Sequence, residues 1–242
     1  MFKGKVALIT GANKGIGFEI AKQLGMLGFT VIIGARDTVR GARAADLLRS
    51  FGVNASPLDL DVTVAPTIEV AAKVIGDQYG HLDVLVNNAG ISGGTGTIPS
   101  RVPIELMRLV YETNVFGVVA VTNAMLPLLL GAPSGRVVNM SSGLGSLTLS
   151  SDPDSEFGKL NILAYQSSKT ALNALTVAYA KELHESGILV NSADPGFTAT
   201  DFNNHRGYRK VEQAATIAVR LACLKDDGPT GTFQDESGYV PW

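Results

Sequence analysis

The stretch VALITGANKGIG, residues 6–17, decides the fold. It opens with a short apolar run of strand character and passes through glycines at 11, 15 and 17. It then turns helical, with Ile16, Ile20, Leu24 and Leu27 at steps of four, four and three. Glycine at such a junction permits a tight turn and lets backbone N–H groups and a helix N-terminus approach a pyrophosphate with no side chain in the way. Many strand-to-helix turns carry glycine, but this one occupies the first such junction of the chain. It also lacks the Gly-Lys-Ser/Thr ending of a triphosphate-binding loop, so a dinucleotide is the expected ligand.

Outward from this junction, short apolar runs alternate with helical patterns to the end of the chain. Strands are expected over 6–10, 30–35, 54–60, 82–87, 136–141, 188–193 and 231–234, most of them apolar throughout, as doubly buried strands are. Helices are expected over 16–27, 40–51, around Ile68, Ala71, Ala72 and Ile75, and over 103–130, 165–186 and 211–224. The alternation implies a doubly wound parallel sheet of the Rossmann type, about seven strands, with helices on both faces. No linker, charge block or repeat divides the chain, so 1–242 is expected to be a single dinucleotide-binding and catalytic domain. Irregular stretches at 90–100, 143–163 and 196–210 follow the fourth, fifth and sixth strands. They emerge at the carboxyl edge, where such sheets bind ligands, and are the expected pocket walls.

Composition agrees. The chain has 242 residues, 45% hydrophobic and 17% charged, enough for one substantial core. Lysine and arginine number 20 against 22 acidic residues, for a net charge of −2 without a basic stripe, so nucleic acid is not an expected partner. One cysteine, Cys223, forms no intrachain disulfide, and His81, His184 and His205 follow no metal-ligand spacing, so no metal is expected. The apolar run at 6–9 is too short for a signal-peptide core. The apolar stretch 115–132 is broken by Thr122, Asn123 and Pro127 and suits a buried helix better than a membrane span. A cytoplasmic protein without a membrane partner is the expectation.

Two further patterns carry chemistry. The second strand ends in Gly34-Ala35-Arg36-Asp37, where the residue facing an adenosine ribose decides between a 2′-hydroxyl and a 2′-phosphate. Arg36 can pair with the phosphate, and Lys14 can reach the same group from the glycine turn; the alternative is a solvated Arg36 neutralised by Asp37. Tyr165 and Lys169 stand four residues apart, on one face of a helix. A lysine cation beside a tyrosine stabilises the phenolate and lowers its pKa toward the working range, although such a pair alone also occurs as a surface cation packed on a ring.

Taken together, TGANKGIG (10–17), LDLDV (58–62), NNAG (87–90), Asn114, Ser141-Ser142, YQSSK (165–169) and Pro195-Gly196 resemble the short-chain dehydrogenases/reductases over nearly the whole chain. Within that family, Asn13-Lys14, GARDTVRG (34–41) and Trp242 resemble the carbonyl reductases that use NADPH. The resemblance implies an oxidoreductase that moves a hydride between NADP(H), preferred over NAD(H), and a carbonyl/alcohol substrate, most often reducing an aldehyde or ketone.

The resemblance also assigns residues. Ser142 would polarise the substrate carbonyl, Tyr165 would deliver the proton, Lys169 would lower its pKa and bind the nicotinamide ribose, and Asn114 would hold a water linking Lys169 to solvent. Gly11, Asn13, Lys14, Gly15, Ile16, Gly17 and Arg36 would take the phosphates, and Asp61 and Val62 the adenine. Asn88, Ala89 and Gly90 would line the adenosine side, and Pro195, Gly196 and Thr198 the nicotinamide. Bland alternatives stand beside these: Ser142 as a turn cap, Asn114 as a backbone partner in a helix kink, Asp61 as an N-cap for the next helix. The segment between Ser142 and Tyr165 exceeds the family's short spacing and falls short of the long insertion of its monomeric animal carbonyl reductases. Its part SSDPDSEFGK (150–159) is expected to be an exposed excursion at the pocket mouth. Ile91, Leu144, Phe197 and Phe202 are the expected substrate contacts. A homo-oligomer is expected through Ala171, Ala174, Leu175, Ala178 and Leu183, a stripe that a core-facing helix would also show. The rivals are an NAD-dependent alcohol dehydrogenase of the same family and a catalytically silent dinucleotide-binding sensor.

Overall fold

The computed structural model describes residues 2–94 and 98–242; residues 95–97 of the expected 90–100 wall lie outside the described residues. The first apolar run forms β1 (Val6–Thr10), and the helical pattern after the glycines forms α1 (Gly15–Met26). There follow β2 (Thr30–Ala35), α2 (Thr38–Ser50), β3 (Ala55–Asp59), α3 (Ala65–Tyr79) and β4 (Val84–Asn87). The second half contains α4 (Ile104–Tyr111), α5 (Gly117–Leu130), β5 (Arg136–Met140), α6 (Leu147–Ser151), α7 (Leu163–Glu182), β6 (Leu189–Ala193), α8 (Val211–Ala222) and β7 (Phe233–Gln234).

All seven strands are parallel and lie in the order β3-β2-β1-β4-β5-β6-β7. The chain builds outward from β1 to β3, then returns to place β4 on the other side of β1. The two halves therefore wind in opposite senses at the β1/β4 boundary, and a crevice opens beyond the carboxyl ends there. Each face has its own core. Ile20 and Leu24 of α1, Leu48 of α2 and Leu221 of α8 cover one face; Ile68 and Ile75 of α3, Met125 and Leu129 of α5 and Tyr179 of α7 cover the other. Each fully buried leucine or isoleucine stabilises the fold by roughly 1.5–3 kcal/mol.

Several expectations change in detail. β3 is half exposed on one face, because it is the sheet's edge, and it carries Pro57 where an edge tolerates a missing N–H. The expected helix over 103–130 is interrupted by a π turn, Glu112–Phe116. Ile104–Leu130 is long and apolar enough to cross a membrane by length and composition, yet Val121, Met125 and Leu129 are buried against the sheet. Leu183 does not belong to a surface stripe: it packs in the core, whereas Ala174 and Ala178 are exposed.

The strands are also less apolar than expected at their carboxyl ends. Asn87 of β4 donates to Asn139 of β5 (2.9 Å) and to Thr122 of α5 (3.1 Å). Asn139 donates to Thr176 of α7 (2.8 Å), which shares a hydrogen bond with Ser192 of β6 (2.8 Å). Ser141 donates to Asn173 of α7 at 2.7 Å. All are buried, so each partner lost leaves a desolvated polar group. Asn139→Leu is expected to destabilise the fold by about 1–3 kcal/mol in urea unfolding, against about 0.5 kcal/mol or less for the exposed Leu147→Ala. Equal midpoints for the two variants would show that the polar ladder does not hold the sheet to α7.

Candidate active site

The turn between β1 and α1 is shaped by sterics. Gly11 and Gly15 adopt φ of 64° and 59°, in the left-handed region that glycine tolerates without strain. At Gly17 a Cβ would sit 2.4 Å from Asn88 Nδ2 and 2.8 Å from the Gly11 carbonyl oxygen. Asn88 donates from that amide to the carbonyls of Thr10 (2.8 Å) and Gly11 (3.2 Å). Thr10 Oγ1 in return accepts from the backbone N–H of Asn88 and Ala89. The glycine turn and the end of β4 are thus one rigid unit. Lys14, at the N-cap of α1, makes no side-chain cap, so the first-turn N–H groups of a 12-residue helix point outward without a side-chain acceptor. That arrangement suits a phosphate.

From this turn a cleft of about 1740 Å³ runs along the carboxyl edge to Tyr165, larger than the ~300–1,000 Å³ usual for a drug-sized ligand and ample for a dinucleotide with a substrate. Gly11, Asn13, Lys14, Gly15, Ile16, Gly17, Arg36, Asp61, Val62, Asn88, Ala89 and Gly90 line one part. Ser142, Leu144, Tyr165, Lys169, Pro195, Gly196, Phe197, Thr198 and Phe202 line the other, with Ile91 between. Asn114 does not reach the cleft; it is fully buried behind it.

At the adenosine end, Arg36 is exposed and makes no ion pair among the described residues. Asp37 does not neutralise it: Asp37 caps α2 by accepting from Arg40 N (2.9 Å) and pairs with the Arg40 guanidinium (3.2 Å). Lys14 does not converge with Arg36 in this state, because Asp201 holds its Nζ at 2.8 Å from across the cleft. Asp61 is not an N-cap either: it accepts from Thr63 N and Oγ1, and the N-cap of α3 is Val64.

At the other end, Ser142 and Tyr165 both line the cleft, and the Ser142 hydroxyl also accepts from Leu144 N (3.3 Å), so its capping role and its place in the cleft coexist. Burial pushes the Tyr165 hydroxyl well above its ordinary value, the Asp194 carboxylate adds to that, and Ser142 opposes them. Lys169 is not among the groups that lower it. Its Nζ donates to the Met140 carbonyl at 2.6 Å and lies 5.5 Å from the Tyr165 ring centroid, over the face rather than at the hydroxyl. Burial brings Lys169 itself down to about 8. In this ligand-free state burial holds the Tyr165 hydroxyl in its acid form, the form that delivers a proton.

Asn114 sits in the π turn. Its Oδ1 accepts from Ile91 N, and its Nδ2 donates to Ile91 O and Ser168 Oγ. The side chain is committed to the backbone, as in the bland alternative. Gly90 packs close to it: a Cβ there would lie 3.3 Å from Asn114 Oδ1 and 3.7 Å from Lys169 Nζ.

Three contributors were missed in the sequence. Phe157, the lone aromatic of the 150–159 excursion, turns inward against Gly143 and joins the wall. Tyr208 packs on Phe197 with ring centroids 6.0 Å apart, and Phe202 meets Tyr165 at 5.6 Å. Asp194 is half-buried on the cleft wall; its position immediately before Pro195-Gly196 was the available signal.

The comparisons agree with this geometry. The short chain dehydrogenase family model matches residues 5–210. A short-chain dehydrogenase of Penicillium roqueforti, anuI, is 38% identical over 224 residues, covering 90% of this chain and 88% of the relative. An NADPH carbonyl reductase of Bos taurus is 33% identical, with 98% of each chain covered. The structure of an NADPH-bound carbonyl reductase from chicken fatty liver superposes with a TM-score of 0.86 at 26% identity, over 99% of this chain and 100% of that one.

Gly17→Ala forces Asn88 off the turn, so a loss of about 1–3 kcal/mol in stability is expected, as for an overpacked core. Titration with reduced nicotinamide dinucleotide should show at least ~10-fold weaker binding, since that much follows from about 1.4 kcal/mol of lost contact. Unchanged binding would mean that the turn does not cradle the ligand.

Proposed function

Since the chain belongs to the short chain dehydrogenase family, we propose that it reduces an apolar aldehyde or ketone at the expense of NADPH, as one catalytic unit over residues 1–242. The observation that carries this is Tyr165 and Ser142 together on the wall of a cleft that begins at the glycine turn and is large enough for a dinucleotide with a substrate.

When bound, the reduced nicotinamide supplies a hydride to the carbonyl carbon. Tyr165 gives its proton to the carbonyl oxygen and regains one from solvent, so carbonyl, NADPH and H⁺ yield alcohol and NADP⁺. Ser142 donates to the same oxygen and positions it against Tyr165. Lys169 lines the cleft, where it would bind ribose hydroxyls. With its ammonium brought down to about 8, it is charged at neutral pH and loses its charge above that. Carbonyl reduction should accordingly be steady below pH 8 and decline above it.

The walls support the substrate class. Phe202 and Phe197, with Leu144 and Ile91, offer apolar and ring surfaces next to Tyr165. Mixing the protein with NADPH and a panel of ketones should consume reduced-nicotinamide absorbance. Tyr165→Phe should bind NADPH normally and lose ~10²–10⁴-fold in kcat. A silent wild type, or an active Tyr165→Phe, overturns the proposal.

The preference for NADP(H) is supported by Arg36 at the end of β2, which makes no ion pair among the described residues, and by Asp37 being committed to capping α2. A charge-assisted contact of about 1.5–3 kcal/mol corresponds to roughly 10- to 150-fold in preference. Arg36→Asp repels the phosphate and offers an acceptor to the hydroxyl, so kcat/KM at one ionic strength should reverse in favour of NADH. A wild type that prefers NADH would show that Arg36 reads no phosphate.

A further inference from the structure

A carboxylate stands on the wall of a cleft whose expected ligand is itself an anion. Asp201 lines the cleft, and its Oδ2 accepts from the Lys14 ammonium at 2.8 Å across the opening. Lys14 is the N-cap of α1 and belongs to the turn whose backbone N–H groups suit a phosphate. A phosphate entering there meets a cation that is already paired, with a negative charge beside it. The hydride and proton transfers above give Asp201 no task.

The segment that carries Asp201 is built to hold it there. Its ends are clasped: Ala199 N donates to Arg209 O at 2.9 Å, and Arg209 N donates to Phe197 O at 3.1 Å. Inside the clasp, Asn203 Nδ2 donates to Thr198 O (2.8 Å), and His205 N donates to Thr200 O (2.9 Å). Asn204 and His205 adopt φ of 55° and 58°, the left-handed region that residues with a Cβ rarely enter. That turn brings the His205 ring back onto Asp201, with Nε2 2.9 Å from Oδ1. One carboxylate oxygen is thus held by the segment itself, and the other reaches Lys14. Thr200 rests against the glycine turn, its Cγ2 3.6 Å from where a Cβ at Gly15 would be, and Phe202 lies on Tyr165. The segment therefore straps the cleft at both its phosphate end and its reacting end.

Both members of the Lys14–Asp201 pair are more than half exposed, and an exposed ion pair contributes little, so it yields to a stronger partner. A ligand phosphate is such a partner, because it offers several acceptor oxygens and, as a 2′-phosphate, close to two charges. We propose that Asp201 is a specificity-determining residue for the dinucleotide: its carboxylate occupies the Lys14 ammonium in place of a ligand phosphate, and a dinucleotide binds by taking that ammonium over. The inference rests on the nicotinamide dinucleotide proposed above. The phosphate concerned is the 2′-phosphate or the pyrophosphate, which share this chemistry and are told apart by comparing NADPH with NADH.

Asp201→Asn keeps the shape of the side chain and removes its charge, and at an exposed position it should fold as the wild type does; Asp201→Ser, read in the same way, replaces it if it does not. Calorimetric titration should show binding tightened by about 2- to 5-fold, the range of an exposed ion pair. Tightening confined to NADPH assigns the contact to the 2′-phosphate, and equal tightening for NADPH and NADH assigns it to the pyrophosphate. In a Lys14→Ala background the same substitution should leave both affinities where they are, because the competition needs both partners. Unchanged or weaker binding of both dinucleotides in Asp201→Asn overturns the inference. So does a tightening that persists in Lys14→Ala, which is the mark of a general charge effect. A wild type that binds NADPH but turns over no ketone defeats the functional proposal and leaves the inference to be decided by titration; a wild type that binds neither dinucleotide overturns both.

Discussion

The buried ladder from Asn87 through Asn139 and Thr176 to Ser192 joins three strand ends to α7, and α7 carries Tyr165 and Lys169. An apolar contact at that place would bury area but would allow the helix to slide along the sheet, since dispersion and hydrophobic burial have little directional preference. Hydrogen bonds inside a low-dielectric core do not tolerate such sliding, because each broken pair strands a desolvated donor or acceptor. Ser141 donating to Asn173 repeats the pin one turn closer to the site, and the next residue in the chain is Ser142. The separation between the two hydroxyl-bearing elements is thus set by polar bonds beneath them rather than by contacts within the cleft.

The same burial that makes the ladder rigid sets the charge state of the residues above it. Tyr165 is desolvated and stays protonated; Lys169 is desolvated and holds its proton less tightly, at about 8. The two shifts run in opposite chemical directions from one cause, because desolvation always favours the neutral form. With Lys169 bonded to Met140 O, the pair does not form an ion pair in this state. A ligand with ribose hydroxyls would compete with that carbonyl for the ammonium, so the charge reaching the tyrosine depends on what fills the cleft.

What could be read from the sequence follows the range of the interaction. The glycine turn and the strand positions were legible because backbone conformation and periodicity act locally, and the three loop walls because a parallel sheet brings its carboxyl-end loops to one edge, whereas Asp61, Val62, Asn88, Ser142 and Thr198 were implied by the family resemblance. Ala55–Asp59 was read as a longer strand, since an edge strand and a buried one differ in their neighbours, which one chain segment does not encode. The roles of Lys14 and Asp37 depended on partners 187 and 3 residues away, Asp201 and Arg40. Phe157 was hidden by its polar surroundings, and Leu183 by a pattern that reads the same facing a core or a second chain.

The π turn at Glu112–Phe116 shows how a local irregularity serves the site. A continuous α-helix from Ile104 to Leu130 would satisfy its backbone with less distortion, and the apolar pattern of the stretch gives no reason to interrupt it. The interruption lets Asn114 point into the protein, where it holds both backbone groups of Ile91 and reaches Ser168 on α7. Ile91 follows Gly90, so these bonds fix the segment that leaves β4 at the point where a side chain would intrude between Asn114 and Lys169. Asn114 thus holds the chain where Gly90 approaches Lys169, and a Cβ at Gly90 would press on its Oδ1 at 3.3 Å. The residue type at 114 and the absence of a Cβ at 90 therefore belong to the same packing constraint.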